Sequence, residues 1–447
     1  MQKTEEMLMK NITIDLSKDM GKIKPMHAVN NGPVCSRSDM TSGNFAAYKA
    51  ALFPYARNHD ASINYGYGGS HVVDVNCIFS NFDADENDPA AYDFFLTDLL
   101  VKNTYDAGTK VFYRLGASIE HWQKKYNTFP PKDFAKWARI CEHIIMHYTE
   151  GWADGHHYDM EYWEIWNEPD GRLDDDPHKP CWGGTKAQFF EFFTISAKYL
   201  KSRFPHLKIG GPAMAFRYYD WLDEFLDHIS SNNVPLDFYS WHVYNTYPEI
   251  TEELAQMIRA KLDKAGYVNA ESIIDEWNYV HDWGDGWNET INRINNMHGA
   301  AYVASVMTVS QYQPIDMLMY YDARPTTMNG LFNLYGYKIQ KSYYDFIYFA
   351  KLYELGTCVD CTRDDSVYAV AAKDGNGKFG AMITCYKNEA EFTDTLTVEI
   401  KDATTKNVRV YRLDDENDAA DAGTFELVDG KFEISIKNYT ILYVESV

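Results

Sequence analysis

The sequence predicts an α/β fold, a (β/α)8 TIM barrel with a small C-terminal antiparallel β-sandwich, and three observations carry that expectation. Eight short apolar runs alternate with segments of helical periodicity through the first three quarters of the chain. Nearly every run finishes in polar or aromatic residues, as strands do when their carboxyl ends form a catalytic rim. Towards the C-terminus the pattern changes to period-two strands with turn signals at Asp374-Gly375-Asn376-Gly377 and Asp429-Gly430.

The eight runs are 24–30, 55–60, 110–116, 162–168, 208–213, 238–244, 272–279 and 316–322. Their rim residues are Asn30-Asn31, His59-Asp60, Arg114, Asn167-Glu168, His242 to Tyr244, Glu276 and Tyr321-Asp322. Any one polar strand end is explained by solvation, but so many together define a layer with a purpose. Helical patterns fall at 90–105, 131–148, 185–204, 218–231, 250–264 and 288–312. The sandwich strands are expected at 367–373, 378–386, 394–401, 407–413 and 431–445, the last broken at Lys437-Asn438. Ile12, Ile14 and Leu16 alternate with polar residues and are expected to add an edge strand from the N-terminus. The expected division is a barrel over 17–354 and an accessory sandwich from 1–16 and 355–447.

Charge and composition exclude some partners. The 42 Lys and Arg against 65 Asp and Glu leave a formal charge of -23, which repels nucleic-acid backbones and anionic membrane surfaces. Aromatic residues are 15% of the chain, with 34 Tyr and 11 Trp, and suit either a large core or stacking on the apolar faces of sugars. The seven cysteines are odd in number and scattered, so no disulfide framework is read and a reducing compartment is expected. With no signal peptide and no membrane-length apolar run recognised, the expected location is the cytoplasm. A homo-oligomer is compatible with the sequence.

The chemistry is carried by two runs. Tyr162-Trp163-Glu164-Ile165-Trp166-Asn167-Glu168-Pro169 reads as a buried strand that stops on an Asn-Glu pair, and Ser272-Ile273-Ile274-Asp275-Glu276-Trp277-Asn278 ends in the same way. Singly, Glu168 is explicable as a strand-end ion pair and Asp275-Glu276 as a solvated pair. Jointly, at the fourth and seventh strands of an eight-stranded barrel, they face one another across the mouth. Glycoside hydrolysis requires such a pair, one carboxyl a protonated acid and the other an ionised nucleophile or base. A carboxyl separation of about 5 to 5.5 Å would make the reaction retaining. Asn167 stands where it can bond the substrate 2-hydroxyl, and His242 and Tyr244 are candidate donors to Glu276.

Trp166-Asn167-Glu168-Pro169, His242-Val243-Tyr244 and Asp275-Glu276-Trp277-Asn278 together resemble glycoside hydrolase family 39, which contains β-xylosidases and α-L-iduronidases within the clan of retaining barrel glycosidases. The resemblance covers nearly the whole chain, and the Asn-Glu-Pro motif belongs to the clan more than to one family. It implies that Glu168 is the acid/base, Glu276 the nucleophile, Asn167 a 2-hydroxyl ligand and Tyr244 the partner of the nucleophile. It also matches His59, in Arg57-Asn58-His59-Asp60, to a histidine that binds the nonreducing sugar, and places Asn30 at the first strand end. A satisfied core histidine is the other reading of His59. Two residues depart from the xylosidase pattern: Asp170 stands where Asn is common, and Asp275 where Thr is usual. Both bear on the sugar recognised.

Trp122, Trp182, Trp283, Trp287 and Tyr321 are candidates to line the pocket, Trp283 and Tyr321 being assigned to substrate binding. Asp322 and Arg324 are expected to clamp a substrate group or to pair with each other. Cys358-Val359-Asp360-Cys361 has metal-ligand spacing but no second Cys or His pair, so no metal is expected. His156-His157, in a Gly-Asp loop, is expected to face solvent. No phosphate loop, dinucleotide fingerprint or serine elbow occurs, and no cofactor is implied. The expectation is a retaining, exo-acting glycoside hydrolase, first a β-xylosidase, acting on an oligosaccharide or glycoside. The alternatives are the same chemistry on a β-galactoside, β-glucoside or α-L-arabinoside, an inverting hydrolase, or a carbohydrate-binding protein without turnover.

Overall fold

A computed structural model of the chain describes residues 9–34, 43–61, 71–216 and 218–447. Cys35 and the N-terminal residues read for a signal peptide lie outside them. Eight parallel strands follow the first strand, β1 (Met9–Lys22), and close into a barrel in chain order: β2 (Ala28–Asn30), β3 (Tyr55–Arg57), β4 (Lys110–Leu115), β5 (Tyr162–Ile165), β6 (Lys208–Met214), β7 (Phe238–Asn245), β8 (Glu271–Tyr279) and β9 (Met317–Tyr320). Closure is completed by β2 pairing onto β9 at Ala28–Met319 and Val29–Tyr320. All eight expected runs are therefore barrel strands.

The outer layer consists of α1 (Phe45–Ala50), α2 (Val75–Ile78), α3 (Phe95–Asp106), α4 (Phe134–Thr149), α5 (Lys186–Arg203), α6 (Tyr219–Ser231), α7 (Pro248–Lys264), α8 (Trp287–Ile294), α9 (Met297–Gln311) and α10 (Tyr343–Leu355). Local chemistry sets several starts. The Asp133 side chain accepts from Lys136 N at the head of α4, and Thr185 with Gln188 forms a reciprocal capping box at the head of α5. The single helical pattern expected over 288–312 is two helices, because the Asn296 side chain accepts from His298 N and starts α9 afresh. Gly299 permits the close turn, since a Cβ there would stand 2.5 Å from Arg293 O. Every residue from Gly299 to Gln311 is buried, because α9 is covered by α7, α8 and α10 as well as by the accessory sheet.

That sheet has nine strands in the order β15-β14-β17-β12-β11-β10-β1-β13-β16, with β10 (Thr357–Cys361), β11 (Val367–Lys373), β12 (Phe379–Cys385), β13 (Thr393–Lys401), β14 (Asn407–Leu413), β15 (Ala420–Glu426), β16 (Lys431–Lys437) and β17 (Ile441–Ser446). It curls until β15 and β16 approach, enclosing a second core of residues such as Ile14, Val398, Val410 and Leu442. Its other face, with Tyr368, Val370 and Met382, joins the main core of the barrel. The N-terminal strand is not at an edge as expected. β1 lies inside the sheet, antiparallel to β10 and parallel to β13, because its apolar face fills the second core from the middle. Cys358 and Cys361 lie on β10, one in the main core and the other against the second core.

Inside the barrel, Ala28, Phe112, Tyr162, Phe238, Ile273, Met317 and Met319 form a separate apolar cluster. Nearer the carboxyl ends of the strands, the interior carries charged and amide side chains instead. Among the described residues no helix is long and apolar enough to cross a membrane.

Candidate active site

The fourth barrel strand ends at Ile165, earlier than the apolar run suggests. Trp166 and Glu168 adopt φ of 76° and 46°, which turns the chain off the strand direction. The turn stays fastened to both neighbouring strands: Trp166 N donates to Leu115 O at 2.7 Å and Glu168 N to Ala213 O at 2.8 Å. The Trp166 ring seats against Gly116, where any Cβ would lie 3.1 Å from it. Glu168 is thus presented on a backbone that its own side chain does little to hold.

Glu276 is positioned differently. Trp241 pairs with Ile274 and the next residue, His242, pairs with Glu276, so β8 carries one extra residue at Asp275. Consecutive residues of a regular strand face opposite sides, but across this bulge Asp275 and Glu276 both reach the same buried arginine.

That arginine is Arg57, at the end of β3 and fully buried. Its Nε donates to Glu164 Oε2 at 2.7 Å and lies 3.1 Å from Asp275 Oδ2; its Nη1 donates to Glu276 Oε1 at 2.8 Å and to Asn30 Oδ1 at 3.3 Å; its Nη2 donates to Asn167 Oδ1 at 2.6 Å. One guanidinium therefore joins four strand ends, a use suited to its planar fork of donors. Burial works against its charge, but Glu164, Asp275 and Glu276 hold it firmly protonated. Glu164 is fully buried; burial pushes its carboxyl up to about 8 despite Arg57.

His242 joins the two candidate catalytic carboxylates. Its Nδ1 stands 2.8 Å from Glu168 Oε1 and 3.4 Å from Glu276 Oε2, while Nε2 is 3.5 Å from Asp275 Oδ2. Burial disfavours an imidazolium, yet Glu276, Asp275 and Glu168 around it hold the ring well above its ordinary pKa. Burial also opposes ionisation of Glu168, but the bond and charge of His242 outweigh it and bring this carboxyl below its usual range, with the Cys181 thiol 3.6 Å from Oε2 adding a weak donor. Glu276 moves the opposite way: burial and the nearby Glu168 and Asp275 charges raise it, against His242 and Arg57. Tyr244 OH donates to its Oε2 at 2.8 Å.

His59 is buried and behaves in the reverse sense to His242. Burial, then the charges of Arg57 and Arg114, hold it well below its ordinary pKa. Arg114 Nε donates to its Nδ1 at 3.2 Å, which leaves the proton on Nε2, 3.5 Å from both Asp60 Oδ2 and Glu276 Oε1. Asp74 fixes Arg114 in turn, accepting from Nη2 at 2.6 Å.

The expected site residues divide by what remains available. Asn167 accepts from Arg57 through Oδ1 but its buried Nδ2 has no partner among the described residues, so it retains a donor. Asn30 is not free in this way: its Nδ2 donates to the backbone oxygens of Asp275 at 2.7 Å and Met319 at 3.1 Å and its Oδ1 accepts from Arg57, so it braces the β8 bulge beneath the site. Tyr321 OH donates to Asp60 Oδ2 at 3.3 Å. Trp283 is 60% exposed, edge-on to Tyr244 at 5.2 Å and stacked on Trp287 at 5.3 Å, and so extends an aromatic wall outward from Glu276. Trp182 is buried against Trp166 and Phe192. Asp322 accepts from Asn31 and Thr326, and burial raises it to about 7; the buried Arg324 guanidinium makes no hydrogen bond to it or to any other described residue.

Glu168, His242 and Glu276 bring ligand-type atoms within 4.8 Å of one another, near enough for a metal. Glu276 accepts from Arg57 and Tyr244, and Glu168 Oε1 lies against His242 Nδ1. The arrangement is suited instead to moving a proton at one carboxyl while the other stays ionised.

A closed barrel with two carboxylates from its fourth and seventh strands, bridged by a histidine and with an arginine on the second of them, defines a barrel protein with an acid–base centre at the carboxyl mouth. The chain belongs to glycosyl hydrolases family 39, whose model matches residues 11–329. A β-xylosidase of Geobacillus stearothermophilus is 24% identical over 266 residues, 52% of this chain and 48% of that protein. A second β-xylosidase, from Caldicellulosiruptor saccharolyticus, is 24% identical over 324 residues, 68% of this chain and 61% of that protein. The chain thus aligns with about half and about three fifths of the length of these relatives. A solved glucosidase from Croceicoccus marinus superposes with a TM-score of 0.77 at 21% identity over 98% of both chains, which establishes the shared fold.

Proposed function

We propose that the protein is a retaining glycoside hydrolase that acts by double displacement, with Glu276 as nucleophile and Glu168 as acid/base. The observation that carries this reading is the closeness of the pair: oxygens of Glu168 and Glu276 lie within 4.8 Å. Retaining enzymes hold their carboxyls about 5–5.5 Å apart, whereas inverting ones leave about 6.5–9.5 Å for a water. Glu276 carries the donors a nucleophile needs, Arg57 and Tyr244; burial raises its carboxyl, and it is the ionised fraction, favoured by His242 and Arg57, that attacks the anomeric carbon. Glu168 protonates the departing oxygen, and the proton it delivers is stored on the His242 ring that bonds it. In the second step Glu168 accepts a proton from the water that releases the sugar. Asn167 Nδ2 and His59 Nε2–H serve the sugar hydroxyls, and Tyr244 with Trp283 forms the apolar wall.

A β-xyloside is the first substrate to test, supported by both partial relatives. The same chemistry on a β-galactoside, β-glucoside or α-L-arabinoside is the second reading. The three carboxylates around Arg57 make an anionic sugar unfavourable at this point in the pocket. The six described cysteines are unpaired thiols, which supports a reducing compartment. A division into a barrel and a sheet from both termini is supported by the separate second core, with the N-terminal boundary after Lys22 and not at 17, because β1 still pairs with β10 at Asp19 and Lys22.

The test is release of nitrophenol from a panel of aryl β-xyloside, β-glucoside, β-galactoside and α-L-arabinosides, with wild type beside Glu276→Ala. Release from one glycoside that vanishes in the variant supports the assignment and names the sugar. Release that survives in the variant removes Glu276 from the nucleophile role.

A further inference from the structure

We propose a second chemical site, a binding site for one divalent transition cation of the zinc class, built by Asp98, His147 and His156 on the outside of the barrel. Asp98 lies in the first turn of α3, His147 in the last turn of α4, and His156 in the loop that enters β5 at its N-terminal end, opposite the end that carries Glu168.

The grouping of three ligand atoms points to a cation. His147 Nδ1 stands 2.9 Å from the Trp152 backbone oxygen, which only accepts, so Nδ1 carries the proton. The opposite nitrogen, Nε2, lies 3.0 Å from Asp98 Oδ1, where a metal ion would replace the proton shared between them, and His156 Nε2 stands 3.5 Å from the same oxygen. All three ligand atoms lie within 4.8 Å of one another. Bonds of about 2.0–2.1 Å around a tetrahedral ion place neighbouring ligand atoms about 3.3 Å apart, and the two spacings bracket that edge. The Nδ1 bond to a carbonyl is also the support that metal-bound histidines use to fix their tautomer. Two imidazoles and one carboxylate select zinc or a neighbouring transition ion over calcium or magnesium, which require oxygen donors.

The loop is shaped to deliver His156. Its backbone N–H donates to His147 O at 2.6 Å. At Gly155 a Cβ would lie 2.1 Å from His147 O and 2.7 Å from His147 Nδ1, so only glycine lets the loop pass this closely. The His147 side chain is 2% exposed, while Asp98 and His156 are 29% and 30% exposed, which leaves one open side for a fourth ligand from solvent. The expectation that His156-His157 faces solvent therefore holds for His157 alone. The bound ion would fasten α3, α4 and the entry to β5, a structural role separate from the carboxylates at the mouth.

The experiment strips the full-length protein with a chelator, dialyses it against Zn2+, and measures bound metal by mass spectrometry and unfolding by scanning calorimetry. Wild type is expected to retain about one zinc per chain and to unfold at a higher temperature than the stripped protein. His156→Ala and Asp98→Asn, the partly exposed ligands, are expected to lose the zinc and the shift while keeping glycosidase activity. Retention of zinc by both variants would place the ion elsewhere and overturn the proposal, as would its absence from wild type. If neither variant folds, Co2+ added to stripped wild type decides: visible bands of four-coordinate cobalt support the site, and a colourless protein refutes it.

Discussion

Arg57 Nη1 meets Glu276 Oε1 at 2.8 Å, so a cation from the second barrel strand holds a carboxylate from the seventh. The same side chain faces Glu164 and Asp275, and no other arginine or lysine pairs with any of the three among the described residues. Arg57→Ala would leave the buried Glu164 without a counter-charge and Asp275 and Glu276 with His242 alone, and is expected to cost about 3–5 kcal/mol of stability. Arg57→Lys keeps the charge but loses the fork and is expected to fall in between. Urea unfolding midpoints decide, and an Ala variant as stable as wild type would contradict this account.

Tyr244 OH donates to the other oxygen of the same carboxylate. Tyr244→Phe is expected to lower kcat/KM by roughly 10²-fold, as loss of one preorganised donor does. Because the lost bond favours the ionised form, the acidic limb of the pH profile should also move to higher pH. An unchanged limb would mean that the hydroxyl does not act on Glu276.

Glu168→Gln separates the two carboxyls. Glu168 is one of the charges that raise Glu276, so its removal is expected to move the acidic limb to lower pH. Aryl glycosides with good leaving groups should still form the glycosyl-enzyme, while those with poor leaving groups should lose on the order of 10²–10⁴ in rate with the acid. Equal losses on both classes of substrate would argue against an acid/base role.

Asp345, on α10, is fully buried and neither carboxyl oxygen has a hydrogen-bond partner among the described residues. Burial raises its pKa well above the ordinary 3.8. The protonated form is the one the fold accepts, so its contribution is fully present below the unfolded value and is lost as pH rises toward the folded one. Asp345→Asn is expected to match wild type near pH 4 and to be more stable by about 1–3 kcal/mol at pH 8. Parallel stability curves for the two proteins across that range would refute the linkage.

Much of this was legible in the chain. The eight runs and the two glutamates are local patterns, because strand burial and strand-end polarity are written within a few neighbouring residues. Arg57, Glu164 and Glu276 were visible as charges inside apolar runs, yet their pairing joins residues 107 and 219 positions apart and has no local signature. β15 was missed because Ala420–Glu426 is largely polar, and β1 was set at an edge because its alternation gives one apolar face but not its neighbours.

The residue order by itself determined the barrel, the accessory sheet and which glutamates end the fourth and seventh strands, since periodicity and punctuation depend on adjacent side chains. Only the tertiary structure decided how those carboxylates are charged. The extra residue at Asp275 turns two consecutive acids toward one arginine, His242 then lies between three carboxylates and keeps its proton, and His59 between two arginines gives its proton up. Protonation follows from distance and burial in three dimensions, and neither is a property of sequence position.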